Sequence, residues 1–105
     1  MLVVTTNAIE GHPVQQYVGM VSGETIAGVN LFKDIGAGFR NLVGGRSSAY
    51  ESEMQQAAQT AVNEMCGRAQ QMGANAIIAV KVDYFTLGAD NGMLAACATG
   101  TAVII

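Results

Sequence analysis

At 105 residues the chain has room for one domain, spanning 1–105, and one hydrophobic core. Half of its residues are apolar and only 12% are charged, against roughly 25% in an ordinary soluble domain; this excludes disorder and leaves a surface of roughly 5,600 Å² short of charge. Net charge is −3, and the five basic residues are scattered at 33, 40, 46, 68 and 81, which excludes a basic stripe for nucleic acid.

Residues 1–29 read as extended. Residues 2–5 are a short β-branched run, and Gly11-His12-Pro13 is turn chemistry, because proline fixes its own φ and restricts the residue before it. Residues 14–22 offer a second strand, with Gly23 as its breaker. In residues 30–46, Leu31, Phe32, Ile35, Phe39 and Leu42 recur at helical spacing. Gly36 and Gly38 each cost about 1 kcal/mol relative to alanine there, so short helical turns packed by Phe32 and Phe39 are expected.

The long helix is expected over residues 48–72. Ser48 and Glu51 fit a capping box, and Gly73 suits the left-handed position that ends a helix. Tyr50, Met54, Ala57, Ala58, Ala61, Met65, Ala69 and Met72 form one apolar stripe. Glu64 and Arg68 are placed for an i,i+4 ion pair, and the opposite face is amide-rich and uncharged. At 1.5 Å per residue this helix is about 37 Å long, longer than one small sheet usually needs.

After Gly73 the apolar period switches to two. Residues 76–87 put Ala76, Ile78, Val80, Val82 and Tyr84 on one face and Ile77, Ala79, Lys81, Asp83 and Phe85 on the other. Gly88 to Gly92 is a hairpin turn cluster. Residues 93–105 form a last strand without a single charge, apolar or small on both faces, in which Gly100 marks a bulge or a close backbone approach. The order β-β-α-β-β predicts an α+β fold in two layers, a small antiparallel sheet covered by one long helix. One helix covers one face only, so a homo-oligomer is expected to supply the missing layer.

Candidate chemistry is sparse. Gly44, Gly45, Arg46 and Ser47 lead into the helix N-terminus and could hold an anion, although a plain turn and N-cap is the simpler reading. His12 and Cys66 are the candidate metal ligands, and neither has a second donor nearby in sequence. Cys97, between Ala96 and Ala98, reads as a small core residue. The two cysteines, 31 residues apart, make neither a disulfide framework nor a CxxC pair. With one His and widely separated acids, no catalytic residue and no cofactor site is assigned. The first eleven residues carry no secretory signal and no run is long enough to span a membrane, so a cytoplasmic protein without membrane contact is expected.

Five ordered blocks then become recognisable: VSGET at 21–25, NLFKDI at 30–35, GGRSSAYE at 44–51, GANAIIAVKVDY at 73–84 and GTAVI at 100–104. Together they resemble the YbjQ-like family of small bacterial proteins, labelled "putative heavy-metal-binding". The resemblance implies a dodecin-like β-α-β-β subunit with extra short strands, assembling as a ring-shaped pentamer. It carries no catalytic role onto any residue here. The expected function is a non-enzymatic homo-oligomer that binds a small ligand or partner between subunits. Soft-metal sequestration and an enzyme with an inter-subunit site are the alternatives.

Overall fold

The computed structural model describes residues 1–26, 48–87 and 93–105. The helical turns expected within 30–46 and the turn at 88–92 lie outside these residues. In chain order the described elements are β1 (Leu2–Val3), β2 (Gln16–Ile26), α1 (Ser48–Gln71), β3 (Ala76–Leu87) and β4 (Met93–Ile104). The strands form one sheet in the order β1-β3-β4-β2, with α1 lying along one face.

The helix runs where its sequence signals place it. At its end Gly73 takes a φ of 90°, which an L side chain resists. Its amide donates to the Gln70 carbonyl, and the Ala74 amide reaches back to the Ala69 carbonyl at 3.0 Å. This paired pattern satisfies the last carbonyls of a helix, and the turn delivers the chain directly into β3. The helix is no longer than the sheet needs: 24 residues span about 36 Å, and the 12-residue strands span about 40 Å.

The core between α1 and the sheet is built largely of alanine. Ala57, Ala61, Met65 and Ala69 of the helix pack on Val21, Ile77, Val80, Leu94, Ala96, Ala98 and Ala102. Two strand expectations are corrected here. Gly23 does not break β2, which continues to Ile26. A Cβ at Gly23 would run into the Ala61 carbonyl oxygen and the Met65 backbone, so glycine is there because the helix lies directly on the strand. The sheet is also mixed, since β1 pairs in parallel with β3 (Leu2 with Ala76, Val3 with Ile77). Residues 4–75 separate the two strands, which allows the long crossover that parallel neighbours require.

Strict alternation in β3 is corrected as well. Ile78 pairs with Thr101 and Lys81 with Thr99, so Ala79 and Val80 together oppose Gly100. The bulge sits on β3 rather than on β4, and it reverses which side chains face the helix. Ile77 and Val80 point to α1, whereas Ala76 and Ile78 point to the far face. Gly100 supplies the space, since a Cβ there would lie 2.6 Å from Ile77 Cγ2. The bulge is held from outside by the N-terminal segment: Ala79 N donates to Thr6 O at 2.8 Å, and Val80 N donates to Val4 O at 3.0 Å.

Ala79 adopts a φ of 54° with its side chain exposed. That conformation costs an L-residue roughly 1–2 kcal/mol, and the greater unfolded-state entropy of glycine returns roughly 0.4–1 kcal/mol of any gain. Ala79→Gly is therefore expected to stabilise the chain by about 0.5 kcal/mol, raising the thermal midpoint by about 2–4 °C. A melting curve shifted downward would show that the Ala79 methyl group contributes more by packing than its backbone costs.

The far face of the sheet has a partial second layer made by the chain itself. Val4, Ile9 and Val14 pack with Ile105 on Ala76, Ile78 and Val103. The expectation that this layer comes wholly from another subunit is corrected at that end of the sheet. Asn75 fastens the same end, its side chain donating to Ile105 O at 3.1 Å and accepting from Ile105 N at 2.8 Å. Further along, three rows cross β2, β4 and β3: Ser22–Thr99–Lys81, Glu24–Cys97–Asp83 and Ile26–Ala95–Phe85.

Candidate functional site

The candidate ligands are kept apart by the layering of the fold. His12 closes a turn on the far side of the sheet, its backbone amide donating to Ile9 O at 3.1 Å, and its side chain is exposed. Cys66 lies on α1, half-buried, and packs against the helix–sheet core. The sheet therefore stands between these two residues, and within one chain they cannot share an ion. The apolar stripe explains Cys66 better than metal ligation does: it extends beyond the eight residues read from sequence to include Val62 and Cys66.

Cys97 departs from its expected place. Ala96 and Ala98 point into the helix-facing core and are fully buried, so Cys97 between them points to the far face, where it is half-buried. Its register neighbours are Glu24 on β2 and Asp83 on β3. Both carboxylates have other partners: Glu24 meets Arg68 at 2.9 Å, and Asp83 meets Lys81 at 3.4 Å. Six residues of β4 separate Cys97 from Val103, where the segment carrying His12 packs, a distance of about 20 Å. Among the described residues no three His, Cys, Asp or Glu side chains converge where they could hold a metal ion. A soft-metal ligand set does not fit within the described part of a single chain.

The anion candidate, Gly44, Gly45, Arg46 and Ser47, lies outside the described residues, as does the side chain of Tyr50. The i,i+4 pair is present, with Arg68 Nη2 3.7 Å from Glu64. Its guanidinium has closer partners that sequence reasoning missed, namely Glu24 at 2.9 Å and the Ser22 carbonyl, to which Nη1 donates at 3.0 Å. These contacts tie the helix to the outer edge of β2. The ion pair is half-exposed on both sides and adds at most about 1 kcal/mol after solvent screening. No signal in the local sequence links positions 24 and 68, because the contact exists only once the helix has docked.

One shallow feature lies among the described residues. A depression of about 90 Å³ is lined by Met20, Val21, Ser22 and Thr99, well below the roughly 300–1,000 Å³ of ligand pockets. Among the described residues no helix is long and apolar enough to cross a membrane.

Comparison with known proteins bears on the whole chain. It is 61% identical over 103 residues to the UPF0145 protein jk0060 of Corynebacterium jeikeium, covering 98% of this chain and 97% of that protein. It is 52% identical to a UPF0145 protein of Bifidobacterium longum, over 100% of this chain and 96% of that one. A Listeria grayi UPF0145 protein is 54% identical over 100% of this chain and 99% of its own length. A crystal structure of a protein with unknown function, of the DUF74 family from Pediococcus pentosaceus, shares the fold. Its TM-score is 0.67 at 14% identity, with 100% of this chain and 97% of that one covered. The model of the YbjQ-like family, described as "putative heavy-metal-binding", matches residues 1–105 from end to end, and the chain belongs to that family.

Proposed function

We propose that the protein works as a non-enzymatic, cytoplasmic homo-oligomer that binds a small ligand or partner between its subunits. The observation that carries this reading is the unfinished far face of the sheet. Among the described residues the N-terminal segment packs only on the end around Val103, while Met20, next to that row, is 88% exposed and Phe85 at the other end is 48% exposed. Apolar side chains such as Met20 and Phe85 left open to water cost roughly 25 cal/mol for every Å² that a neighbour could have covered. The small depression by Met20 is too shallow to enclose a ligand by itself, and a neighbouring copy would add walls. The subunit number proposed is five, the number expected from the family resemblance.

The family's description favours a second reading, soft-metal sequestration. From the described residues it would need ligands of more than one copy, such as the Cys97 thiols. Native mass spectrometry of freshly purified protein separates the readings. The expected spectrum is one dominant oligomer, a pentamer, whose mass exceeds five chains by a small organic ligand or not at all. A monomer at micromolar concentration would overturn the proposal, and zinc or copper in fixed proportion to subunits would replace it with the metal reading.

A further inference from the structure

Residues 5–15 cross the far face of the sheet with little to hold them. All are exposed except Ile9 and Val14, and those two are only half-buried. Among the described residues, no hydrogen bond from residues 7–14 leaves this segment: His12 N donates to Ile9 O, and the Thr6 hydroxyl donates to Ala8 O. Fixed points lie on either side, where Thr6 O accepts from Ala79 N and Gln15 N donates to Ile104 O. Gly11, with a φ of 80°, and Pro13 turn the chain between them. Beneath the segment lies an apolar floor of Ala76, Ile78 and Val103, each at most 5% exposed. This cluster is separated by the sheet from the core under α1. A segment with few buried contacts and few hydrogen bonds opens at lower free energy than the core does. Residues 7–14 can therefore lift while the helix stays docked.

The rows of the far face give this floor a direction. Along β4 from Val103, the next far-facing residue is Thr101, paired with Met20 and Ile78, and then comes Thr99, paired with Ser22 and Lys81. The depression lined by Met20, Val21, Ser22 and Thr99 lies along this path. Over about 13 Å of strand, apolar surface under the segment thus gives way to two hydroxyls and an ammonium group. We propose that residues 7–14 are a lid over a seat for a medium-chain aliphatic carboxylate. Its chain lies on Ala76, Ile78 and Val103 once Ile9 and Val14 lift, and the lid supplies the wall that the open depression lacks. The carboxylate accepts hydrogen bonds from the Ser22 and Thr99 hydroxyls and from the Lys81 ammonium. Lys81 is held only by Asp83 at 3.4 Å in an exposed pair, an interaction weak enough to exchange. The next row, Glu24 and Asp83 beside Cys97, repels an anion and so fixes where the head group stops. This seat lies within one chain and does not rest on the oligomer reading.

Isothermal titration calorimetry with sodium decanoate, kept below its micellar concentration, tests the seat. The expected result is saturable binding of one decanoate per chain, with the negative heat-capacity change of a buried alkyl chain. Lys81→Ala and Thr99→Val are each expected to weaken it about tenfold, the usual loss for a hydrogen bond to a charged group. Decyltrimethylammonium, with the opposite head charge, is expected to show no saturable binding. Ile9→Ala loosens the lid, so more chains present an open seat and decanoate should bind severalfold tighter. Far-UV circular dichroism checks that every variant keeps its fold. Absence of saturable decanoate binding would overturn the proposal. Equal affinity for the ammonium amphiphile would overturn the head-group site, and weaker binding by Ile9→Ala would overturn the lid. A monomer in the native mass spectrum would leave all three standing, so failure here is distinct from failure of the oligomer reading.

Discussion

Replacing Gly23 with alanine is expected to destabilise the chain by about 3 kcal/mol or more, at the upper end of what overpacking costs. The added methyl group has nowhere to go, because the atoms it meets are the Ala61 carbonyl oxygen and the Met65 amide and Cα. These are helix backbone atoms and cannot rotate aside as a flexible side chain would. Relief requires lifting α1 off β2, which would open the alanine-lined contact and draw Arg68 away from Ser22 and Glu24. Gly67→Ala is the natural control. Gly67 lies inside the same helix with nothing within 4 Å of the added Cβ, so there alanine is expected to stabilise by about 0.8–1 kcal/mol. Urea denaturation of both variants reads the result. A Gly23→Ala chain with wild-type stability would mean that the helix does not sit on the strand as described.

Gly23 also shows where sequence reading stops. The helix was legible because its signals are local: a small-residue stripe at period 3.6 and a glycine at the left-handed end. β3 and most of β4 were legible from the change of period after Gly73 and the turn cluster between them. A glycine within a strand carries two meanings, strand end or close approach, and only the docked helix decides between them. The β3 bulge was hidden for a related reason. Its left-handed residue is Ala79, not a glycine or asparagine, and the hydrogen bonds that hold it come from Thr6 and Val4, more than 70 residues away in sequence. The second layer made by Val4, Ile9 and Val14 was missed because these residues follow neither helical nor strand spacing.

The candidate site was less legible than the fold. Residue type alone suggests His12 and Cys66 as ligands, and the fold places them on opposite sides of a sheet. Cys97 was judged by its alanine neighbours. In a strand, however, adjacent residues face opposite ways, so buried Ala96 and Ala98 imply an outward Cys97. The shortage of charge in residues 93–105 has two sources. Leu94, Ala96, Ala98 and Ala102 serve the helix, and Val103 with Ile105 serves the N-terminal segment. Most of the exposed large apolar side chains among the described residues lie on the outer strands instead.

Met65→Ala is the second substitution with a large expected cost, about 2–5 kcal/mol. Met65 is fully buried and is among the largest side chains that are so. Its neighbours on the helix face are Ala57, Ala61 and Ala69, and Ala96, Ala98 and Ala102 lie across from them. Alanines bury little area each, so the helix–sheet contact draws much of its hydrophobic stabilisation from a few larger groups, Met65 with Ile77, Val80 and Leu94. The same alanines cannot collapse into a cavity, because they carry no rotatable side chain, so the loss should fall in the upper half of the range. Met65→Leu keeps the volume and is expected to cost less than about 1.5 kcal/mol. Against the roughly 5–15 kcal/mol of total stability usual for a domain, the alanine variant should unfold at markedly lower urea with an unchanged slope. Equal costs for alanine and leucine would show that the methionine sulfur, rather than buried volume, anchors the helix.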